Sequence, residues 1–371
     1  MSEERSASAR KTEGALEGYE EFVAVLERAR VGRREQRFLG NPQAILDRLI
    51  ATTSEEVAVY SAEAMRALPK EGPSDMELYL LGRIGDVSDF VGAKKREGGL
   101  RVMESIRCLR DRIRTKAFLR GVGEAVATLD DGRDIIRVCD AGCGAIPVQA
   151  IYAALASPRV RATCIEINAY SAAIARSVVA SFGLQDRMTI VQDDATTFSC
   201  DGQFDLLVSE TMHAALTSEP MVQIMSHLRS SMAPGGIMLP SMITVRAAVM
   251  RASEYERPSG YVRIYDDPQY YVQPDWQTIV TYRPGDALSI IDFTLPLPET
   301  PYDYVVLLNS EVDIGRQHLA PYQSLITTPQ ALREPDSDLK SFRANAGDVP
   351  ARVHVRYAPG DLLEDVRSRV E

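Results

Sequence analysis

The sequence predicts an α/β protein in three parts: a helical N-terminal segment, a parallel sheet with crossover helices, and an antiparallel β-sandwich or barrel. Three observations predict it. Apolar residues recur at three- and four-residue spacing from about Leu16 to Leu129. Short β-like runs then alternate with helical stretches, and after Pro234-Gly235-Gly236 β-like runs follow one another with turn signals between them. The expected boundaries are a mobile tail at 1–15, the helical segment at 16–129, the α/β core at 130–240 and the β-domain at 241–371.

In the helical segment the spacing of Phe22, Val23, Val25 and Leu26, then Ile45, Leu46, Leu49 and Ile50, predicts amphipathic helices, punctuated at Pro69 and Gly72-Pro73. A last helix is expected around Met103 to Val122. Core strands are predicted over 135–139, 162–165, 188–191 and 204–208. Helices are predicted over 146–155 and 169–182, the second closed by Gly183, a favoured helix-stop residue. Further strands are expected over 243–249, 278–282, 288–293, 304–308 and 351–357, with little helical periodicity among them.

Composition narrows the function classes. The chain has 371 residues, 25% charged and 45% in the apolar set, which is ordinary for a folded globular protein. A balance of 42 Lys+Arg against 52 Asp+Glu leaves −10, which disfavours a general binder of nucleic acid or membrane surface, since both draw on cationic side chains. No window approaches the roughly 20 apolar residues of a spanning helix, and the start lacks a signal-peptide layout, so a cytoplasmic location is expected. The five cysteines contain no CxxC pair and read as reduced thiols, and the four scattered histidines show no metal-ligand spacing, so no metal is expected.

One loop concentrates the chemistry. Asp140-Ala-Gly142-Cys-Gly144-Ala-Ile-Pro147 sits where the first strand ends and a helix begins, the usual place for a nucleotide-type ligand. Pro147 stands where the third glycine of the dinucleotide fingerprint belongs, which argues against a pyrophosphate-bearing NAD. A cofactor with a cationic amino-acid end suits Asp140 better. Glu166, 22 residues beyond Gly144 at the end of the second strand, is placed to accept from ribose hydroxyls, and Asp194 follows the third strand. Acids at the carboxyl ends of three successive strands converge on one crevice; the alternative is that each caps a following helix.

The stretch from Ile135 to Leu239 resembles the S-adenosylmethionine-binding core of class I methyltransferases, which implies a Rossmann-like core and S-adenosyl-L-methionine as cofactor. By that resemblance Asp140, Gly142 and Gly144 hold the methionine end, Glu166 the ribose and Asp194 the adenine amino group. A narrower likeness, to protein arginine methyltransferases, runs through Arg112-Ile-Arg114-Thr115, Val208-Ser-Glu210-Thr-Met212, Glu219 and Pro234-Gly-Gly-Ile-Met-Leu-Pro240. It implies Arg114 as a clamp on the cofactor carboxylate, Glu210 and Glu219 as paired carboxylates gripping a guanidinium, a C-terminal β-barrel and a homodimer. Met212 is a candidate cofactor contact. His213, beside Glu210, is a candidate general base. Thr211 stands where the family has tryptophan, and Ser324-Leu-Ile-Thr-Thr-Pro329 falls where a Thr-His-Trp loop is expected.

These departures point away from a peptide-bound arginine and towards a small, cationic guanidino or amino compound as methyl acceptor, as in secondary metabolism. Two further readings stay open. One is an enzyme on the same fold that cyclises or cleaves S-adenosylmethionine itself, releasing methylthioadenosine as azetidine-forming and nicotianamine-type enzymes do. The other is a non-catalytic module that binds the cofactor, because fold alone does not fix function.

Overall fold

The computed structural model describes Ser105, Cys108 and residues 111–130, 133–200, 202–255, 274–300, 302–321, 323–332, 340–343, 351–362 and 365–370. The tail at 1–15 and the predicted helices over 16–100 lie outside these residues. The chain divides into two compact units: one holds the described residues up to Ala195 together with Gln203–Val208, the other holds Thr196–Gly202 and the described residues from Ser209 onward. The last crossing from the first unit to the second falls at the end of the fourth strand.

The first unit opens with helix α1 (Arg112–Leu129), capped by Asp111, whose carboxylate accepts from the Arg114 backbone N–H at 3.2 Å. Phe118, Val122, Ala125, Val126 and Leu129 form its buried stripe, at the spacing a packed helix requires. Strands β1 (Ile136–Ala141), β2 (Val160–Glu166), β3 (Met188–Gln192) and β4 (Phe204–Ser209) follow, with helices α2 (Val148–Ala156) after β1 and α3 (Ala169–Ser181) after β2. The sheet order is β3-β2-β1-β4, and β1 with β2 and β2 with β3 pair in parallel. Such strands are covered on both faces, and β4 is buried along its whole length. Gly123 is where α1 meets α2: a Cβ there would stand 3.0 Å from the ring of Tyr152.

Asp205, almost fully buried at the start of β4, accepts from the Arg137 backbone N–H at 2.8 Å and pairs with Arg133. That carboxylate is therefore satisfied at the amino-terminal edge of the sheet, away from the strand ends that the site uses.

In the second unit, helix α4 (Met221–Leu228) and strand β5 (Met232–Leu239) precede the antiparallel region. Sequence reading did not single out α4, although Met221, Val222, Ile224, Met225 and Leu228 form its buried face. Pro234-Gly235-Gly236, after which β-like runs are expected, lies inside β5, with Gly235 at φ 72.

The remaining strands are β6 (Met242–Arg251), β7 (Gln277–Tyr282), β8 (Ile291–Pro296), β9 (Asp303–Ile314), β10 (Gln317–Leu319), β11 (Gln330–Ala331), β12 (Ser341–Arg343), β13 (Arg352–Tyr357) and β14 (Arg367–Val370). They form antiparallel sheets in the orders β10-β9-β6-β7 and β14-β13-β8, with β11 and β12 also paired to β9. The predicted strand at 288–293 begins three residues later. Pairing with β13 runs from Ile291 opposite Tyr357 to Pro296 opposite Arg352, which places Ile291 and Leu295 in the interior.

Candidate active site

The carboxyl ends of β1, β2 and β3 build a cradle within the first unit. Gly142 and Gly144 both adopt positive φ, at 76 and 66, a backbone that a side chain with a Cβ resists. The intervening N–H groups turn towards the protein. Those of Gly142 and Cys143 donate to the Ile165 carbonyl at 2.9 and 3.1 Å, that of Gly144 to Glu166 Oε2 at 2.8 Å, and that of Ala145 to Ser105 Oγ at 3.3 Å. The loop is thus a rigid arch tied to β2, rather than a nest of free donors.

Glu166 is its keystone. Its second carboxylate oxygen accepts from the Asn168 N–H at 2.7 Å, and its backbone carbonyl accepts from Asp193 N at 3.2 Å, which draws the β3 turn with Asp194 against the end of β2. Asp194 is half-buried, and its own N–H is held by the Asp193 carboxylate at 2.8 Å. Burial pushes the Glu166 carboxyl above the usual carboxylate range, partly opposed by the Asn168 and Gly144 N–H bonds.

Asp140 is only 2% exposed. It accepts from the Ala150 N–H of α2 at 3.2 Å, so the helix-cap alternative is realised in part for this residue. Burial dominates all the same, and with the neighbouring Glu166 charge it pushes the Asp140 carboxyl up to about 7. A desolvated acid of this kind gains most from a cation placed beside it.

Arg114 is buried rather than part of a solvated charge run: it is 5% exposed, and its Nη2 donates to the Cys108 carbonyl at 2.8 Å. Nε lies 3.7 Å from the Asp111 carboxylate. The neighbouring Cys164 thiol and burial raise the Cys143 thiol well above its ordinary range. None of the five cysteines is in a disulfide.

Glu210, Met212, His213 and Glu219 belong to the second unit. Glu210 and Glu219 are half-buried, Met212 is buried at 1% exposure, and His213 Nδ1 lies 3.2 Å from Thr217 Oγ1. Thr211, at the tryptophan position, hydrogen-bonds Ser209 through its hydroxyl at 2.8 Å. Between the two glutamates, Ala215, Leu216 and Ser218 all adopt positive φ, at 57, 60 and 64.

Sequence reading missed Ser105 and Asn168. Asn168 carried a legible signal, because its side chain caps α3 by accepting from Ser171 N at 3.1 Å, and an Asn just before an apolar run is a common cap. Ser105 carried none, since its contact with Ala145 spans 40 residues. Among the described residues no group of His, Cys, Asp and Glu could hold a metal ion, and no helix is long and apolar enough to cross a membrane.

Residues 138–236, which hold this cradle, match the methyltransferase-domain family. Over 143 residues the chain is 30% identical to an arginine N(omega)-methyltransferase of Streptomyces achromogenes subsp. streptozoticus, covering 37% of this chain and 36% of that relative. The chain thus spans little more than a third of the relative's length. A chain of the Trypanosoma brucei PRMT1 enzyme–prozyme heterotetrameric complex with AdoHcy is similar in structure, with TM-score 0.50 and 15% identity over 72% of this chain and 96% of that one. Protein arginine methyltransferase 10 of Arabidopsis thaliana aligns with TM-score 0.46 and 14% identity over 68% of this chain and 86% of its own. At such identity the first likeness establishes the fold.

Proposed function

We propose that the chain is an S-adenosyl-L-methionine-dependent N-methyltransferase whose acceptor is a small guanidino or amino compound. The observation that carries it is the acid series Asp140, Glu166 and Asp194, gathered at the ends of β1, β2 and β3 around the Gly142–Gly144 arch inside the matched segment. The name of the Streptomyces relative supports a guanidino acceptor, as does the spacing of Glu210 and Glu219.

The residues present suit this cofactor. Asp140 offers a buried, desolvated acid to an ammonium group. Each Glu166 carboxylate oxygen accepts one backbone N–H and keeps acceptor capacity for a ribose hydroxyl. Asp194 is assigned to the adenine amino group and Arg114 to the cofactor carboxylate, which a guanidinium matches in two hydrogen bonds. Met212 contributes by packing, because it is buried. When bound, the cofactor supplies an electrophilic methyl group on a sulfonium.

Glu210 and Glu219 orient the acceptor guanidinium and draw its positive charge from the attacking nitrogen, which otherwise has no free lone pair. His213 receives the proton that this nitrogen releases as the new N–C bond forms. A homodimer is part of the same proposal, and light scattering of the purified protein tests it.

The decisive experiment incubates the protein with S-adenosylmethionine, with and without L-arginine and simpler guanidines and amines, and identifies products by mass spectrometry. S-adenosylhomocysteine with a methylated acceptor is the expected result. Methylthioadenosine formed without acceptor sinks methyl transfer in favour of cofactor cyclisation or cleavage. Tight cofactor binding with no product from any acceptor supports the non-catalytic module.

A further inference from the structure

The segment joining Glu210 to Glu219 is strained and is fastened from far along the chain. Ala215, Leu216 and Ser218 are left-handed, a conformation in which a Cβ meets the following carbonyl. Such a backbone persists only where its surroundings over-determine it. Here they do so at successive peptide groups within the second unit.

The Ala215 N–H donates to Ser310 Oγ at 2.7 Å, and the Tyr357 hydroxyl donates to the Ala215 carbonyl at 2.9 Å. The Leu216 carbonyl accepts from Gly360 N at 2.8 Å, and the Ser218 N–H donates to the Asp361 carbonyl at 2.8 Å. Thr217 Oγ1 closes the turn on the Ala214 carbonyl at 2.8 Å. At Gly360, φ 94, an added Cβ would stand 3.2 Å from Gln223 Nε2 and in ordinary contact, 3.7 Å, with the Glu219 carbonyl oxygen. Gln223 in turn donates to the Pro359 carbonyl at 2.6 Å. Ser310 and Tyr357 are buried, at 0% and 3% exposure. Burial also drives the Tyr357 phenol far up, so its hydroxyl remains a donor at every relevant pH.

We infer that Ser310, Tyr357 and the Pro359–Asp361 turn are positioning residues: they hold the Ala215–Ser218 segment, with its left-handed Ala215, Leu216 and Ser218, and thereby fix Glu219 relative to Glu210 for gripping the acceptor. This rests on the methyl-transfer reading above. Neither side chain is assigned a contact with cofactor or acceptor. Their effect is on acceptor handling, while the cofactor cradle belongs to the other unit.

The test compares Tyr357→Phe and Ser310→Ala with the wild type, using L-arginine as acceptor probe and S-adenosylhomocysteine as cofactor probe. We expect kcat/KM for L-arginine to fall about 10- to 100-fold, the scale of a misplacement near 1 Å. The Kd for S-adenosylhomocysteine should stay close to wild type, the Tm should fall only by the few degrees that one lost buried hydrogen bond costs, and amide exchange over 213–219 should quicken about tenfold. A merely structural role would lower Tm and weaken cofactor and acceptor together. If Tyr357→Phe does not fold, Ser310→Ala carries the measurement, because it removes a different bond to the same peptide. An active wild type whose variants keep full kcat/KM, or whose exchange over 213–219 is unchanged, overturns the positioning role. A wild type inactive on every guanidine and amine instead overturns the reading beneath it.

Discussion

The Asp140–Gly144 arch and the Glu210–Glu219 loop solve the same problem, holding carboxylates in place, by opposite means. The arch uses glycines for its positive φ values and ties itself to its neighbour strand, with the Gly144 N–H bonded to Glu166 only 22 residues away. The loop forces Ala215, Leu216 and Ser218 into the same region and is tied to partners 95 and 142 residues distant, Ser310 and Tyr357. A local solution is written in glycines, and a distant one leaves no such mark. The first leans mainly on the adjoining strand β2, whereas the second makes the loop depend on the β-region.

Substitution at the loop's carboxylates should have the largest effect. Glu219→Gln and Glu210→Gln each keep the side-chain shape and remove the charge, and kcat is expected to fall by about 10²–10³. Isothermal titration with S-adenosylhomocysteine should meanwhile show cofactor affinity within a few-fold of wild type. Equal loss of cofactor binding would erase the division of labour between arch and loop.

Next in size is Glu166→Ala. It strips both acceptors from the arch and leaves the Gly144 and Asn168 N–H groups without their carboxylate. A weakening of cofactor binding by about 2–3 kcal/mol, or roughly 30- to 150-fold, is expected by the same titration. Turnover at saturating cofactor should change less than binding does.

The arch also predicts a pH dependence. Asp140 titrates at about 7 in the folded chain against 3.8 ordinarily, so the fold favours its protonated form. Its contribution to stability is fully present below about 3.8 and is lost as pH rises towards 7, so it lowers the Tm of the unliganded protein across that window. A cationic ligand reverses the sign, because it favours the ionised acid, and cofactor affinity should rise with pH up to about 7. Asp140→Asn should remove both slopes in thermal-shift curves run with and without S-adenosylhomocysteine. A wild-type affinity flat from pH 5 to pH 8 would falsify the ammonium assignment.

Smaller effects separate glycines needed for conformation from those needed for space. Gly144→Ala forces a left-handed alanine whose Cβ lies 3.2 Å from Ser105 Cβ. About 1–3 kcal/mol of stability should be lost, as read by urea denaturation. Gly123→Ala has no positive φ to resist, and its helix-propensity gain of about 1 kcal/mol opposes the clash with Tyr152 at 3.0 Å. A net loss of about 1 kcal/mol or less is expected there.

Legibility followed the same division. The core strands β1 to β4 were placed within one or two residues, and α3 starts at the expected Ala169, because alternation and helical periodicity are properties of neighbouring residues. The glycine arch and the acid at each strand end were visible for the same reason. Helix α4 was not, since it is only eight residues long and follows a loop without a strong cap signal. The start of β8 was misplaced because its register is chosen by β13, some 60 residues later.

By itself, the sequence determined the order of the elements, the bend at Gly142 and Gly144, and the presence of Asp140, Glu166 and Asp194 at the ends of successive strands. Periodicity, glycine's freedom and strand-end position are all set within a few residues. Tertiary structure decided that Arg114 is buried, that Asp140 titrates near 7, that the arch's N–H groups serve Ile165, Glu166 and Ser105, and that Ala215, Leu216 and Ser218 are left-handed. Each of these depends on desolvation or on a hydrogen bond to a distant part of the chain, and neither exists until the chain has folded.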